Sequence, residues 1–408
     1  MSKTVARFAV YMGMIAYKYG GAEAYAASLI ESLQGLYPNS HITLITERLR
    51  HKKMLSTDEL LEMQNKAYGT AIKNESFSVA YFDFEKVHVN KAKNRLQRYF
   101  LIIKRELVAI RRFKTIKKLS RKADVFINSY CDIVFGGAKK NICIVNFPCR
   151  PTAYSGINKR LPYLKQQVKK RIKQYQNSYC LYLPNSRFTA EWLKSYWQIP
   201  DEKIRVVYPP VKMIAGGGIH IKDGKQILVC GRFNREKKTD VLVNAFKSSE
   251  FLSENARLVV AGSTVSEDEL FIEELRRGSP QNVSFVLDPD RETLEQLYSS
   301  SSFFWHAMGL GTEEPSKFEH FGITTVEAMS AGCVPIVINK GGQKESVEES
   351  CGIRWDTVEE LVEMTERLIK NPEHTASLRQ KCVERARMFS TNSFRENVRK
   401  ILSEHGCA

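Results

Sequence analysis

Several patterns that classify a protein quickly are missing from this sequence. Its 408 residues contain no apolar run close to the roughly 20 residues that span a bilayer. None of its nine cysteines forms a C-x-x-C pair, which excludes a zinc knuckle and a dithiol redox motif. The apolar start has no A-x-A-like cleavage site, so we interpret it as a first core strand. We expect reduced cysteines and a cytoplasmic location.

Acidic residues are scarce relative to basic ones, with 45 Asp and Glu against 62 Lys and Arg and a formal net charge of +17. This excess favours anionic partners such as phosphates, acidic lipid surfaces or nucleic acid. No aromatic-interleaved binding module accompanies the charge, so we predict no nucleic-acid partner. The sequence also has no internal repeats and no long low-complexity tract.

Two successive sets of apolar segments alternate with helical patterns, which predicts parallel sheets of the α/β class. In the first set we interpret as strands VARFAVYMG, HITLIT, ADVFINSY, NICIVNF, YCLYLPNS and KIRVVYPP, with the helix AEAYAASLIESL after the first of them. In the second set the strands are QILVCGRF, ARLVVAGS, NVSFVLD, SFFWHAM and CVPIVIN, separated by helical segments. Ligands of such doubly wound sheets bind at the carboxyl ends of the strands.

Prolines and a glycine triplet between Tyr208 and Lys225 interrupt the periodicity and mark a linker. We therefore predict an N-terminal domain over residues 1–208, a linker over 209–224 and a C-terminal domain over 225–389. We expect residues 390–408 to form a final helix that packs back on the N-terminal domain.

A basic helical segment runs from about Asn90 to Lys122 and contains one acidic residue. Apolar residues recur on one face of it, at Leu96, Phe100, Ile103, Leu107 and Ile110. One interpretation is an ordinary helix that packs this face on its own sheet. The other is a helix hairpin that rests on an anionic membrane, with a second basic run over Lys165–Lys173 adding to the charge.

The most informative segment is KFEHFGITTVEAMSAGCVPIVIN, in which Glu319 and Glu327 stand eight positions apart. A turn at Gly322 leads to a helix predicted to start near Thr324 and to end with Gly332 as a left-handed cap. The amides at the helix start could bind a phosphate, with one carboxylate on a sugar and the other on ribose hydroxyls. The alternatives are a capping box between Thr324 and Glu327 and a solvated loop carboxylate at Glu319.

Together with GRFNREKK, this segment resembles the donor half of glycosyltransferase family 4. The E-H-F-G variant, followed by G-G-x-x-E, is especially similar to the dolichol-pathway α-1,2-mannosyltransferases and their prokaryotic relatives. The resemblance extends more thinly to GGAEAYAASL, LPNSRFTAEWL and VVYPPV. It implies the GT-B fold, in which two Rossmann-like domains face each other across a cleft. It also implies transfer of a hexose, with retention, from a nucleotide diphosphate sugar to a glycan or a polyprenyl-linked acceptor.

The same resemblance implies roles for individual residues. Arg232 and Lys237 would hold the donor pyrophosphate, where fixed cations stabilise the charge that builds on the leaving group. Glu319 would contact the transferred sugar, and Glu327 would bind the ribose. The residues implied in other donor contacts are Gly322, Ile323 and Thr324 at the distal phosphate, Val286 and Leu287 at the base, and Gly20 and Gly21 at the phosphates. The donor implied is GDP-mannose first and a UDP-sugar next, with no further cofactor.

Three features set limits on this interpretation. Asn146 stands where many relatives carry a histidine, so we expect no first-domain histidine to act as base and place the chemistry on the leaving phosphate. The segment GLGTEEPSK before Glu319 is longer than usual and could alter sugar choice. Asp288-Pro289-Asp290 looks like a D-x-D metal motif, but we interpret Asp290 as a helix cap and expect no metal.

The alternatives to a glycosyltransferase are a nucleotide-sugar 2-epimerase, a glycosyl phosphorylase and a non-catalytic polyanion-binding protein.

Overall fold

The computed structural model describes residues 6–13, 15, 20–49, 53–85, 87–130, 134–150, 162–214, 223–264 and 269–407. The chain divides into two compact units. The first consists of Met1–Asn185, Thr189–Val207 and Arg395–Ala408, and the second of Ser186–Phe188 and Tyr208–Phe394. Part of the predicted linker, residues 215–222, lies outside the described residues.

The first unit is built on a six-stranded parallel sheet with strand order β3-β2-β1-β4-β5-β6. Its strands are β1 (Arg7–Tyr11), β2 (His41–Leu49), β3 (Phe77–Phe84), β4 (Val125–Asn128), β5 (Lys140–Val145) and β6 (Leu181–Pro184). Its helices are α1 (Gly21–Leu36), α2 (Thr57–Tyr68), α3 (Arg95–Ser120), α4 (Pro162–Ser178) and most of α5 (Arg187–Trp197). Strands β4 and β6 are buried throughout, as expected for a parallel sheet.

One strand predicted in this unit is wrong, and one was missed. The segment KIRVVYPP forms a single bridge, from Ile204 to Tyr182, and no strand. Amides of this segment donate to carbonyls of β6, but Pro184 of β6 has no N–H to return a bond, so the ladder stops. Strand β3 was missed because its sequence FSVAYFDF mixes polar residues into the apolar run, as an edge strand can.

The basic segment forms one continuous helix of 26 residues, so the hairpin of the second interpretation is wrong. The expectation that Leu96, Phe100, Ile103, Leu107 and Ile110 pack on the sheet is also wrong, because all five side chains are exposed. Another face of α3 makes the attachment instead. The buried residues Ile116 and Ser120 lie on that face, and Arg112 on the same face pairs with Glu47 of β2.

The second unit is built on another six-stranded parallel sheet, with strand order β12-β11-β10-β7-β8-β9. Its strands are β7 (Asp223–Cys230), β8 (Arg257–Gly262), β9 (Val283–Leu287), β10 (Ser301–His306), β11 (Val334–Ile338) and β12 (Ile353–Trp355). Its helices are α6 (Thr239–Ser248), α7 (Glu250–Asn255), α8 (Glu269–Arg276), α9 (Arg291–Ser300), α10 (Ile323–Ser330), α11 (Gln343–Ser346), α12 (Val358–Lys370) and α13 (Pro372–Arg387). A last helix, α14, covers Thr391–Glu404, and from Arg395 onward it belongs to the first unit.

The strand order of the second sheet reverses between β7 and β10. From β7 the chain proceeds to β8 and β9 on one side, and from β10 it proceeds to β11 and β12 on the other. Such a reversal leaves a crevice at the carboxyl ends of the two central strands, where doubly wound sheets bind ligands. The residues that follow Cys230 and the residue His306 therefore lie at this position in the fold.

Candidate active site

The loop after β7 brings a lysine to the switch point of the second sheet. A single turn of 3-10 helix covers Arg235–Lys237, and the side chain of Asn234 caps it by accepting the amide of Lys237. Lys238 follows with a left-handed φ of 56° and begins the turn into α6. This turn directs Lys237 away from the exposed surface, so that its side chain is about one-fifth exposed.

Lys237, Glu319 and His306 form a half-buried cluster. The ammonium Nζ of Lys237 lies 2.7 Å from Oε2 of Glu319, and Nε2 of His306 lies 3.3 Å from the same oxygen. His306 is the last residue of β10 and is 5% exposed. The cluster thus joins the carboxyl ends of both central strands to the loop that precedes α10.

The electrostatics of the cluster fix its charges near neutral pH. Burial opposes ionisation of Glu319, but the charge of Lys237 and the hydrogen bond from His306 outweigh it, and the pKa of Glu319 lies well below its usual range. Burial lowers the pKa of His306 despite the nearby carboxylate. The site therefore presents an ionised Glu319, a lysine ammonium and a neutral imidazole.

Two glycines hold the backbone of Glu319 in place. The amide of Gly342 donates to the carbonyl of Glu319 at 2.7 Å. A Cβ at Gly341 would lie 2.3 Å from that carbonyl oxygen, and a Cβ at Gly342 would lie 2.0 Å from the carbonyl oxygen of His320. Because a larger residue would collide with backbone, the Gly-Gly pair permits this close approach.

The start of α10 has no side-chain cap. The helix begins at Ile323, one residue before the predicted start, and its N-cap is Gly322 with a left-handed φ of 94°. The alternative of a capping box between Thr324 and Glu327 is therefore wrong, since Glu327 lies too deep in the helix to reach back to the N-cap. The first amides of a helix have no partner within the helix, so these amides and the positive end of the helix dipole could bind an anion.

The end of α10 follows the prediction. Gly332 adopts a left-handed φ of 78° just after the helix. The amide of Cys333 donates to the carbonyl of Ala328, and that of Gly332 donates to Met329, which together make a Schellman motif. This cap stops the helix after eight residues and leads directly into the buried strand β11.

Glu327 belongs to a second polar cluster, on α10 and α9. Its Oε1 accepts from Nη1 of Arg291 at 2.6 Å, and its Oε2 accepts from the hydroxyl of Tyr298 at 3.1 Å. Glu327 is 8% exposed. Each carboxylate oxygen can accept two hydrogen bonds, so one position on each oxygen remains for a ligand hydroxyl.

The other residues predicted to bind the donor lie on separate loops. Arg232 is exposed in the loop after β7, while Val286 and Leu287 end β9. Gly20 and Gly21 stand at the start of α1, in the first unit, where no side chain caps the helix. The donor contacts implied for these residues stay predictions.

Asp290 is a helix cap, as predicted, because its side chain accepts the amide of Thr293 at 2.8 Å at the start of α9. Asp288 accepts the amide and the hydroxyl of Thr264. Across the described parts of the chain, no group of three or more His, Cys, Asp or Glu side chains is arranged to hold a metal ion.

Sequence reasoning missed His306, Arg291 and Tyr298. The histidine could have been found, since it ends the predicted strand SFFWHAM at the sheet edge where ligands bind. Arg291 and Tyr298 carried no such signal, because their partner Glu327 lies far along the chain, after two further elements.

Comparison with known proteins agrees with this geometry. Residues 218–389, which contain both polar clusters, match the protein family described as "Glycosyl transferases group 1". The match covers less than half of the chain, so it shows what this part of the chain is similar to. It favours an enzyme over the alternative of a non-catalytic polyanion-binding protein.

Curated relatives are similar to part of this chain. The chain is 27% identical over 233 residues to "GDP-Man:Man(3)GlcNAc(2)-PP-Dol alpha-1,2-mannosyltransferase" of Xenopus laevis, covering 52% of this chain and 46% of that protein. It is 28% identical over 200 residues to an uncharacterized glycosyltransferase of Methanocaldococcus jannaschii, covering 45% of this chain and 48% of that one. The chain thus spans about half the length of these curated relatives.

The solved structure of Anabaena HepE in complex with UDP and glucose superimposes with a TM-score of 0.63 at 15% identity, covering 98% of this chain and 100% of that one. Identity at this level establishes the fold alone. Together with the two six-stranded parallel sheets, it confirms the predicted two-domain α/β fold of the GT-B type.

Proposed function

We propose that this protein is a glycosyltransferase that moves mannose from GDP-mannose to a glycan or polyprenyl-linked acceptor, with retention at the anomeric carbon. One observation carries the proposal: Lys237 and His306 both contact Glu319, and Glu319 stands three residues before Gly322, the N-cap of α10, which has no side-chain cap. A cation and a carboxylate joined by so short a segment to a helix start suit a sugar joined to a diphosphate. In this proposal the second unit binds the donor and the first unit receives the acceptor.

The choice of GDP-mannose is supported by the relatives. The Xenopus laevis protein is named as a GDP-mannose-dependent α-1,2-mannosyltransferase. A UDP-sugar is the next candidate, because the similar fold of Anabaena HepE was solved with UDP and glucose. We propose no metal in the reaction, since lysine, arginine and helix amides would neutralise the diphosphate.

Each residue then has a chemical task. Arg232 and Lys237 would stabilise the negative charge that develops on the departing diphosphate. The ionised carboxylate of Glu319 would face the sugar, whose anomeric centre becomes positive in an oxocarbenium-like transition state. Glu327 would accept hydrogen bonds from ribose hydroxyls, and the amides of Ile323 and Thr324 would bind the distal phosphate.

We propose that transfer occurs on one face of the sugar. The bond from the anomeric carbon to the phosphate oxygen breaks, and a bond to the acceptor oxygen forms on the same face. The acceptor proton passes to the leaving phosphate oxygen, and GDP departs. The low pKa of Glu319 makes its carboxylate a weak base, which favours the leaving phosphate oxygen as the proton acceptor. A mannosyl group trapped covalently on any side chain would contradict this route.

We further propose that the protein works in the cytoplasm and reaches its acceptor at a membrane surface. Exposed basic side chains of the first unit, on α3 and on α4, support this location. The exposed lysines on α4 are Lys169, Lys170 and Lys173.

Donor choice is tested by thermal unfolding with GDP, UDP, ADP and dTDP. A nucleotide that binds the folded protein raises the unfolding midpoint by mass action. We expect the largest rise with GDP. Slow hydrolysis of GDP-mannose without acceptor, followed by NMR, should release α-mannose first, because retention applies to water as well. If UDP-glucose is instead converted to its 2-epimer, the 2-epimerase alternative is correct. If inorganic phosphate accepts the sugar and a sugar phosphate forms, the glycosyl phosphorylase alternative is correct.

The role of Glu319 is tested by Glu319→Gln, which keeps the shape of the side chain and removes its charge. We expect transfer to fall roughly tenfold to a thousandfold, the range for losing one transition-state contact. Glu349→Gln is the matched control, because Glu349 lies outside both polar clusters and is 90% exposed. Equal rates for the two variants would remove Glu319 from the reaction.

A further inference from the structure

Helix α3 carries a row of exposed apolar side chains. Leu96, Tyr99, Phe100, Ile103, Leu107 and Ile110 are between 40% and 67% exposed. Their spacing of three and four residues places all six on one face of the helix. We call this face the apolar stripe. Of the eleven large hydrophobic side chains that are exposed in the described residues, seven lie on α3.

The opposite face of α3 is attached to the first unit. Ile116 and Ser120 are fully buried, and the hydroxyl of Ser120 accepts the amide of Gly137 at 2.8 Å. The ring of Phe113 meets that of Phe135 edge to face, with centroids 5.5 Å apart. The start of the helix is different, since residues 93–100 are all exposed. The stripe is therefore held outward on a fixed helix of about 39 Å.

Basic residues border and continue the apolar stripe. Arg95–Ser120 contains nine Lys and Arg against one acidic residue, Glu106. Lys114, Lys117 and Lys118 extend the spacing of the stripe beyond Ile110, and all three are exposed. Lys104 and Arg111, also exposed, lie four positions after Phe100 and Leu107. An apolar face with cations along its edge matches the boundary between acyl chains and anionic headgroups.

We propose that the apolar stripe of α3 docks the protein on an anionic phospholipid bilayer, with the helix lying in the plane of the interface. A second copy of this chain is a poorer occupant, because pairing two such faces would bring two strongly basic helices together. No helix in the described residues is long and apolar enough to cross a membrane. The inference rests on the membrane location proposed above, for which it supplies the docking face, and it does not depend on the donor site.

Vesicle sedimentation with the full chain tests the proposal. We expect binding to vesicles of phosphatidylcholine containing phosphatidylglycerol, weaker binding to phosphatidylcholine alone, and loss of binding as salt rises. The double variant Phe100→Ser with Ile103→Ser should bind about tenfold more weakly or worse, because two inserted apolar side chains are removed. Leu270→Ser is the matched control, since Leu270 is 74% exposed but lies on α8 of the second unit; it should bind like the wild type.

A spectroscopic measurement tests membrane insertion without relying on the double variant, which could bind weakly because it is misfolded. Phe100→Trp places a fluorophore on the stripe, and its emission relative to wild type should shift to the blue and be quenched by brominated lipid in anionic vesicles. The proposal is overturned if the wild-type protein stays in the supernatant when anionic vesicles are sedimented, or if the stripe variants bind vesicles like the wild type. It is also overturned if sedimentation velocity shows a wild-type dimer that the double variant dissociates. The donor assignment is measured separately by GDP binding, so either can fail alone.

Discussion

Nζ of Lys237 lies 2.7 Å from Oε2 of Glu319, although the two residues are 82 positions apart in the chain. The contact joins the loop after β7 to the loop before α10. It brings together two motifs that are separate in the sequence, GRFNREKK and the segment that contains Glu319. Both side chains are about four-fifths buried, so each charge is largely shielded from water and has the other as its counter-ion.

Removal of either partner should therefore destabilise the second unit. We expect Lys237→Met to cost about 1–3 kcal/mol of unfolding free energy, because Glu319 is left half-buried without its cation. The double variant with Glu319→Gln should cost less than the sum of the single variants. Lys317→Met is the control, since Lys317 pairs with Glu314 in the open and should change stability by less than about 1 kcal/mol. Additive effects would show that the pair is not coupled.

Glu327 should make the protein prefer a nucleotide whose ribose carries its 2′ and 3′ hydroxyls over one that lacks them. If its free acceptor positions take ribose hydroxyls, wild type should bind GDP about tenfold or more tightly than 2′,3′-dideoxy-GDP. Glu327→Gln keeps an acceptor for Arg291 but should lose most of this preference, measured by calorimetry. Glu292→Gln, at an exposed position on α9, should retain it. A preference that survives in Glu327→Gln would leave Glu327 with the structural role of holding Arg291 and Tyr298.

Buried histidines should make stability fall in mild acid. Burial lowers the pKa of His306 and of His320 in the folded protein, so the unfolded chain binds more protons below its ordinary histidine pKa of about 6.5. The stability is present above that value and is lost as the pH falls through it. His306→Gln can still donate to Glu319 but does not titrate, so its melting temperature should drop less between pH 7 and pH 5.5. An equal drop would place His306 outside this effect.

The Gly-Gly pair should tolerate no side chain. A Cβ at Gly342 would lie 2.0 Å from the carbonyl oxygen of His320, so Gly342→Ala should shift the backbone beside Glu319 and cost about 1–3 kcal/mol. Activity should fall with it. Gly224→Ala is the control, because its Cβ would meet nothing within 4 Å, and its stability should change by less than about 0.5 kcal/mol. A stable, active Gly342→Ala would show that the loop adjusts freely.

The periodic features of the fold were predictable, whereas the features set by packing were not. Five of the six strands of the second sheet and the left-handed Gly332 follow from apolar runs and glycine chemistry, whereas the three-residue edge strand β12 was missed. The exposure of Phe100 does not, because an apolar helical face looks the same whether it meets its own sheet or faces outward. The failed strand at KIRVVYPP depends on the missing N–H of Pro184, a property of its neighbour.

The candidate site shows the same division. The motifs around Lys237 and Glu319 were visible, but their direct contact requires the strand order that puts β7 beside β10. The sequence left the start of α10 open between free amides and a capping box, since Thr324 and Glu327 have the spacing of such a box. Only the backbone conformation of Gly322 decides that the cap is absent.

The central claim is that a donor diphosphate binds at the start of α10, held by Lys237 and Arg232. A crystal structure of the protein with GDP-mannose tests this most directly. We expect diphosphate oxygens within hydrogen-bond distance of Nζ of Lys237, of the guanidinium of Arg232 and of the amides of Ile323 and Thr324. A diphosphate bound elsewhere, with Lys237 still paired to Glu319 and the helix start empty, would contradict the account.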